Sequence, residues 1–285
     1  MDLYRGMNAE ELEYQYELRS KEADFDAVVA RWLKRGAALR DSRDVAIDLA
    51  YGSGERETLD LFRAAAGGPL LVYIHGGYWQ RGDKNMYSFV AEAFLDAGVN
   101  VAVINYTLTP ACRIGDIAPQ VRRCIAWLWH NSQDLGFDRE RLSVMGHSAG
   151  GHMTAMMMAT DWPAFDSALP VDLVRSALPI SGIFELEPLV HTSINAGPRM
   201  DVAEARRESP LFMKMHSNAP QLVIAGGNET PEFTRQSDAY CDRFRTERRA
   251  MERYDVPGEN HFGELDRLAE STSEVFSRSL KLVDR

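Results

Sequence analysis

The chain has 285 residues, of which 45% are hydrophobic and 26% are charged, and its formal net charge at pH 7 is −10. This composition is ordinary for a globular protein, and one α/β domain spanning residues 1–285 is expected. The acidic balance argues against a protein that binds nucleic-acid phosphates or an anionic membrane surface.

The first part of the chain predicts a helix, a strand–turn–strand unit and a buried strand. Apolar residues recur at helical spacing over residues 10–38, within an N-terminal helical extension expected over residues 1–40. Residues 43–50 and 57–62 predict two strands around a Gly-rich turn. Residues 69–75 form a continuous apolar run that ends at two glycines, which is typical of a strand buried on both faces.

The rest of the chain alternates between predicted helices and strands. Helices are predicted over residues 86–97, 117–132, 149–160, 231–246 and 271–282. Strands are predicted over residues 99–106, 141–145, 173–180, 221–225 and 250–256. This alternation indicates an α/β fold with a mostly parallel central sheet and helices on both faces. Residues 182–210 have no firm period, and a small irregular cap segment is expected there.

Ser148 is the candidate nucleophile of the sequence. It lies in Gly146-His147-Ser148-Ala149-Gly150, between a short apolar strand and a helix start rich in Gly and Ala. A nucleophile elbow requires this strand–turn–helix setting, because the strained turn exposes the hydroxyl at the carboxyl edge of the sheet. The alternative is a capping serine in a Gly-rich turn without a catalytic role.

A second Gly-rich loop, His75-Gly76-Gly77-Tyr78-Trp79, follows the apolar strand. In hydrolases, a loop of this type after a buried strand supplies one N–H group of an oxyanion hole. The other N–H group would belong to Ala149, which directly follows Ser148. The alternative is a plain turn with a buried histidine.

These motifs together resemble the kynurenine formamidase (arylformamidase) branch of the α/β-hydrolases, which is related to the hormone-sensitive-lipase-like esterases. The resemblance covers most of the chain and includes residues 51–62, 75–80, 146–152, 181–188, 229–237 and 260–262. It implies the α/β-hydrolase fold and cleavage of an N-formyl arylamine such as N-formylkynurenine. In the lipase relatives a third glycine stands where Tyr78 is. The resemblance therefore implies Gly77, with Gly76 or Tyr78, as the oxyanion donors of the loop.

Two further residues complete the predicted catalytic set. α/β-Hydrolases order their triad as serine, acid and histidine, and His261 is the one histidine after the last predicted strand. Glu229 and Glu232 both follow the strand at 221–225 and are the candidate acids. The resemblance favours Glu229, at a position where the family usually has Asp. Glu232 falls in the first turn of a predicted helix, where an acidic residue is commonplace.

The sequence also suggests which residues contact the substrate. Tyr78 and Trp79 are expected to line the site and to stack on an aromatic ring. His147 is placed either at the edge of the pocket or in packing beneath the turn. Three functions remain open at this point: an arylformamidase, a carboxylesterase or other aryl amidase, and a hydrolase-fold binding protein without activity.

Cofactors and location are inferred from what the sequence lacks. Three cysteines without CxxC spacing suggest neither a disulfide framework nor a zinc site, and neither a metal nor an organic cofactor is expected. The N-terminus lacks a signal-peptide pattern and the apolar runs are short, so a cytoplasmic protein is expected. The expected partner is a small aryl amide or ester, with neither nucleic acid nor membrane, and homo-oligomerisation is left open.

Overall fold

A central sheet organises the fold in the computed structural model, which describes residues 2–284. Its strands are β1 (Val45–Ala50), β2 (Thr58–Phe62), β3 (Leu70–Ile74), β4 (Asn100–Ile104), β5 (Leu142–His147), β6 (Ser176–Ile180), β7 (Gln221–Gly226) and β8 (Met251–Val256). They lie in the order β1-β2-β4-β3-β5-β6-β7-β8. Strand β2 is antiparallel to β1 and β4, and the other neighbours pair in parallel.

Helices cover both faces of this sheet. They are α1 (Ala9–Tyr16), α2 (Phe25–Ser42), α3 (Lys84–Tyr87), α4 (Glu92–Asp96), α5 (Ile114–Leu135), α6 (Ala149–Met158), α7 (Trp162–Phe165), α8 (Val202–Arg207), α9 (Pro231–Phe244), α10 (Gly263–Leu268) and α11 (Glu274–Val283). Helices α5, α6 and α9 pack in one apolar cluster, and α2, α4 and α11 pack in a second cluster. The predicted layered architecture with a mostly parallel sheet is confirmed.

Strand β3 shows why the central strands are apolar throughout. All of its residues are buried, and Leu70, Val72 and Ile74 belong to the first cluster. Leu71 and Tyr73 belong to the second cluster, because successive side chains of a strand point to opposite faces. A strand covered by helices on both sides therefore needs apolar residues at every position.

The N-terminal extension differs from the prediction of one helix over residues 10–38. The structure has two helices, and the chain between them leaves helical geometry at Glu17, which has φ −78° and ψ 96°. The break has a tertiary cause. Leu18 is buried, and the carbonyl oxygen of Tyr16 accepts a hydrogen bond of 2.5 Å from the Tyr78 hydroxyl. This contact joins residues far apart in the chain, which helical periodicity does not report.

Two other elements also depart from the prediction. Residues 86–97, predicted as one helix, are α3, a 3₁₀ turn over Ser88–Ala91 and α4. Helix α10 was not predicted. The side chain of Asn260 begins it by accepting hydrogen bonds from the N–H groups of Phe262 and Gly263, at 3.0 and 2.9 Å. A six-residue helix is too short to show a reliable period in sequence.

The segment 182–210 lies above the carboxyl edge of the sheet, against α1. It contains 3₁₀ turns over Glu187–His191 and Ser193–Ala196, followed by α8. Ser193 bonds through both its N–H and its hydroxyl to the carboxylate of Glu13 in α1. The predicted division of the chain, with one domain, an extension over 1–40 and a cap over 182–210, stays a prediction.

Candidate active site

Ser148 occupies a sharp turn between β5 and α6. Its backbone has φ 57° and ψ −117°, a region that residues other than glycine rarely adopt and that costs about 1–3 kcal/mol. The turn is held by a 2.8 Å hydrogen bond from the Ser148 N–H to the carbonyl oxygen of Ile180 in β6. The strained geometry matches the strand–turn–helix arrangement expected from the sequence.

The glycines on either side of Ser148 are required by close backbone approach. A Cβ atom on Gly150 would lie 1.9 Å from the carbonyl oxygen of Ile74, and one on Gly146 would lie 2.3 Å from that of Gly150. Real side chains cannot occupy such positions without moving the backbone. The GxSxG pattern is therefore a packing requirement between β3, β5 and α6 as well as a motif.

The loop after β3 brings free N–H groups beside Ser148. Gly77 has φ 113°, and a Cβ atom there would lie 2.3 Å from the carbonyl oxygen of Arg81. A Cβ atom on Gly76 would lie 3.1 Å from the Cβ atom of Ser148, so the loop and the turn are in contact. Within residues 2–284, the N–H groups of Gly76, Gly77 and Tyr78 donate no hydrogen bond. They are available to an oxygen atom of a bound molecule.

Within the described residues, the N–H group of Ala149, next to Ser148, also donates no hydrogen bond. Ala149 is the first residue of α6, and the first N–H groups of a helix have no partner within the helix. The positive end of the helix dipole also lies here, which favours a developing negative charge. The four N–H groups proposed from the sequence, those of Gly76, Gly77, Tyr78 and Ala149, thus all lie near Ser148.

His261 and Glu229 form a hydrogen-bonded pair at the same edge of the sheet. Nδ1 of His261 lies 2.9 Å from Oε2 of Glu229, and the Glu229 side chain is fully buried. Oε1 of Glu229 accepts a 2.8 Å hydrogen bond from the N–H of Gly226 and another from the Ser181 hydroxyl. The carboxylate therefore fixes the histidine ring and leaves Nε2 as its second functional atom. His261 lines the same cavity as Ser148.

The structure places Glu232 away from this pair. Its carboxylate accepts a 2.7 Å hydrogen bond from the Tyr16 hydroxyl and forms an ion pair of 2.6 Å with Arg235. Glu232 therefore joins α9 to α1, while Glu229 faces the histidine. The family resemblance and the helix-start position of Glu232 both favour Glu229 in the sequence, and these hydrogen bonds support the same residue.

His147 is buried beneath His261. The two ring centroids are 4.4 Å apart, and Nε2 of His147 lies 2.8 Å from the carbonyl oxygen of His261. Burial, followed by the nearby His261, holds the pKa of His147 well below its usual range. A neutral His147 can donate its Nε2–H to that carbonyl and fix the loop that carries His261. It also lines the cavity, so both placements left open by the sequence apply.

Trp79 requires a correction. Its side chain is fully buried and does not line the cavity, and its ring packs edge-on against His152 with centroids 5.1 Å apart. The prediction that Trp79 contacts the substrate is therefore wrong: the loop turns its ring into the core. Tyr78 does line the cavity, while its hydroxyl donates to the carbonyl oxygen of Tyr16.

Two other histidines near the site are structural. His75 stacks on Tyr106 with ring centroids 4.4 Å apart, and Nδ1 of His75 lies 2.8 Å from the carbonyl oxygen of Gly76. Burial lowers the pKa of His75 to about 4 and the pKa of His152 to about 4 as well. Both rings are therefore neutral at physiological pH, and they support the loop that carries the free N–H groups.

The cavity above Ser148 has a volume of about 440 Å³. Several of its walls come from segments that sequence analysis did not connect to the site: Leu18, Phe25, Arg81, Tyr87, Ile194 and Phe262. These residues carry no local motif, and the folding of the N-terminal segment and of residues 182–210 over the sheet edge brings them together. Among these residues, only Arg81 could have been associated with the site from the sequence, because it lies two positions after the Gly-rich loop.

One group of potential metal ligands occurs within residues 2–284. The ligand atoms of His147, His261 and Glu264 lie within 4.8 Å of one another. Each residue already bonds to a protein partner: His147 to a carbonyl oxygen, His261 to Glu229, and Glu264 to the Ser181 hydroxyl. A metal ion would compete with these bonds for nitrogen and oxygen atoms. These hydrogen bonds therefore explain why the three side chains lie close together.

The sheet order, the turn at Ser148 and the site at the carboxyl edge of the sheet define an α/β-hydrolase. Two family models match the chain: BD-FAE over residues 59–179, and the prolyl oligopeptidase family over residues 120–276, more than half of the chain. The chain is 30% identical over 300 residues to the kynurenine formamidase of Salmo salar, with 100% of each chain covered. It is 28% identical to that of Danio rerio, also with 100% of each chain covered.

The chain therefore belongs to the kynurenine formamidase family, and over residues 120–276 it also belongs with the prolyl oligopeptidase family. A crystal structure from Silicibacter sp., described as a provisional thioesterase, superposes with a TM-score of 0.82 at 30% identity. That match covers 94% of this chain and 98% of the other. The protein is thus a hydrolase. No helix within residues 2–284 has the length and apolar character needed to span a membrane.

Proposed function

We propose that this hydrolase acts through an acyl-enzyme on Ser148, with His261 as base and Glu229 as the acid that orients it. The substrate we propose is N-formylkynurenine, which would be cleaved to kynurenine and formate. The observation that carries the proposal is the 2.9 Å hydrogen bond between His261 Nδ1 and Glu229, with His261 lining the same cavity as Ser148. This bond leaves Nε2 of His261 free to exchange a proton with the serine.

The reaction follows from these positions. Nε2 of His261 takes the Ser148 proton as Oγ attacks the formyl carbon, and the N–H groups of Gly77 and Ala149 bind the resulting oxyanion. His261 then gives the proton to the leaving nitrogen, and the C–N bond breaks. Water, deprotonated by His261, attacks the formyl-enzyme, and formate leaves as Ser148 regains its proton. An aryl nitrogen is a better leaving group than an alkyl nitrogen, so one histidine can serve as its acid.

The shape of the cavity supports a small aromatic substrate. A volume of about 440 Å³ suits a molecule with one aromatic ring and a short side chain. Phe25, Tyr78, Tyr87 and Phe262 supply flat apolar surface to such a ring. With Trp79 turned into the core, Tyr78 and the segments that cover the cavity would limit the length of the acyl group that fits.

A substrate panel tests this proposal. We expect measurable deformylation of N-formylkynurenine, and a steep fall in kcat/KM beyond butyrate in a p-nitrophenyl ester series from acetate to decanoate. A cavity of about 440 Å³ leaves little room for a long acyl chain, whereas a formyl group fits beside the oxyanion N–H groups. Highest activity on long esters without deformylation would instead identify a general carboxylesterase, the main alternative for this site.

Arg81 is expected to determine affinity for the amino-acid end of N-formylkynurenine. It lines the cavity, and within residues 2–284 it has no acidic partner, whereas Arg19 pairs with Asp26 at 3.0 Å. In a chain of net charge −10, an unpaired cation at the mouth would attract the substrate carboxylate. Arg81→Ala should raise KM for N-formylkynurenine about tenfold and leave kcat/KM for neutral p-nitrophenyl acetate unchanged.

The matched control for this experiment is Arg248→Ala. Arg248 is exposed, does not line the cavity and forms no ion pair within the described part of the chain. The Arg248→Ala substitution removes the same charge from the protein as Arg81→Ala does, so a general electrostatic effect on KM would appear in both variants. Equal changes in KM for the two variants would refute a local role for Arg81.

A further inference from the structure

A second buried carboxyl group lies directly behind the proposed catalytic pair. Glu264, on α10, has a fully buried side chain, and its Oε1 lies 2.6 Å from the Ser181 hydroxyl. The same hydroxyl also bonds to Oε1 of Glu229. The hydroxyl of Ser181, which follows β6, thus bridges two carboxyl groups from different parts of the chain. The mechanism described above uses only one of them.

The number of protons in this bridge is constrained. A serine hydroxyl carries one proton, so it can donate to only one of its two carboxyl neighbours. If both carboxyl groups were ionised, the other short contact would join two oxygen atoms without a proton between them, in a site that excludes water. With one of the two carboxyl groups protonated and donating to Ser181, both contacts become hydrogen bonds.

The contacts show which carboxyl group carries the proton. Glu229 accepts a hydrogen bond from the Gly226 N–H at 2.8 Å and faces Nδ1 of His261 at 2.9 Å, and both contacts favour a carboxylate. Among the residues that the structure describes, Oε1 of Glu264 contacts Ser181 and, at a longer 3.3 Å, His147, and its buried Oε2 has no partner. Burial, followed by the charge of Glu229, raises the pKa of Glu264 well above its usual range.

We propose that Glu264 is a neutral carboxylic acid in the folded protein and acts as a positioning residue. Its proton is donated to Oγ of Ser181, and the Ser181 proton is donated to Oε1 of Glu229. This chain holds Glu229 against His261 without a second negative charge beside the histidine. The positioning role rests on the proposed function of the Ser148 site, whereas the protonation state does not.

Several other ionisable groups surround Glu264. The titratable and charged groups that face it are Tyr73 on β3, His147 on β5, Glu229 after β7, Arg253 and Asp255 on β8, and His261. His147 is neutral, and Arg253 is already paired with Asp238 and Asp255 at the surface. The positive charge of Arg253 lowers the pKa of Glu264, but burial and the charge of Glu229 are larger effects and raise it.

A neutral Glu264 makes stability depend on pH. Below about pH 4.3 the carboxyl group is protonated in the folded and the unfolded chain alike. Above that pH the unfolded chain loses the proton and the folded chain keeps it, so Glu264 stabilises the fold less as pH rises through the raised pKa. Gln cannot ionise, so the Tm of E264Q relative to wild type should increase from about pH 5 to about pH 8.

The matched control for stability is Glu232→Gln. It is the same substitution at another buried carboxyl group, but that group is ion-paired with Arg235, so the variant should lose stability at neutral pH. An infrared difference spectrum of wild type minus E264Q should show the C=O band of a protonated carboxylic acid at neutral pH. The absence of this band, or no gain in Tm for E264Q with rising pH, would show that Glu264 is ionised. Neither measurement requires enzyme activity.

Kinetics test the positioning role. With p-nitrophenyl acetate as substrate, E264L should lower kcat about tenfold without changing KM. E264Q should keep most of the wild-type kcat, because its amide N–H can donate to Ser181. The acid limb of the E264Q pH–kcat profile should coincide with that of wild type, since no charge is removed. Ser181→Ala should lower kcat similarly and should not add to E264L.

Two kinetic results would overturn the positioning role. The first is a kcat equal to that of the wild type in both E264L and Ser181→Ala. The second is an E264Q variant whose pH–kcat profile has a displaced acid limb and whose kcat falls as far as that of E229Q. If E264L does not fold, Ser181→Ala and E264Q still decide the question. If the wild-type protein cleaves neither ester nor formamide, the proposed function fails instead, while the infrared and stability measurements still test the protonation of Glu264.

Discussion

Ser148→Ala is expected to lower kcat by about 10⁴-fold or more while the thermal unfolding curve stays close to that of the wild type. The reaction loses the atom that forms the covalent bond, whereas the fold loses only one hydroxyl group. Alanine at this position has the same backbone strain as serine, since both carry a Cβ atom at φ 57°. The measurement is kcat for N-formylkynurenine and for p-nitrophenyl acetate, together with Tm.

Covalent labelling identifies the nucleophile directly. Intact-mass analysis after treatment with a sulfonyl fluoride or an organophosphate should show one adduct on the wild type and none on Ser148→Ala. Ser193→Ala is the matched control, because Ser193 is exposed and lines the same cavity and its variant should keep the label. A fully labelled Ser148→Ala protein would place the nucleophile elsewhere. Unlabelled wild-type protein without activity would favour a binding protein.

The second large effect is expected at Glu229. Glu229→Gln should lower kcat about 10³- to 10⁴-fold, because the amide neither stabilises the imidazolium nor enforces the tautomer that leaves Nε2 free. Glu232→Gln should reduce kcat by less than about tenfold and instead lower Tm, because it leaves Arg235 with one fewer partner. Both variants are compared by kcat and by Tm under the same conditions.

The comparison between the two glutamates separates catalysis from folding. Both are acidic residues near the start of α9, and the same substitution is made at both positions. A large loss of kcat at Glu229 with little change in Tm supports its role beside His261. Equal and mild losses of kcat in the two variants would mean that another acid orients His261.

Local patterns in the sequence were sufficient for the strands and for the turn at Ser148. Strand β3 is apolar because helices cover both of its faces, and the glycines around Ser148 are needed where backbones approach within contact distance. These constraints act on neighbouring residues, so they leave a readable pattern. The same holds for the loop at Gly76 and Gly77, where the backbone itself provides the proposed donors.

The family resemblance added what spacing alone left open. Glu229 and Glu232 both follow β7, and the only local difference between them is that Glu232 falls in the first turn of α9. The decision depends on Tyr16 and Arg235, which bind Glu232 and hold it toward α1. The hydrogen bond between Tyr16 and Glu232 links residues 216 positions apart in the chain.

Other features were decided by the tertiary structure alone. The break after α1 follows from burial of Leu18, and Trp79 turns away from the cavity because its ring fills space beside His152. The proposed hydrogen-bond chain from Glu264 through Ser181 to Glu229 depends on α10 and on the segments that follow β6 and β7. By itself, the sequence determined the order of the eight strands and the backbone turns at the site, because these depend on near neighbours. Side-chain direction and protonation depend on which distant residues fill the surrounding space, and only the folded chain decides that.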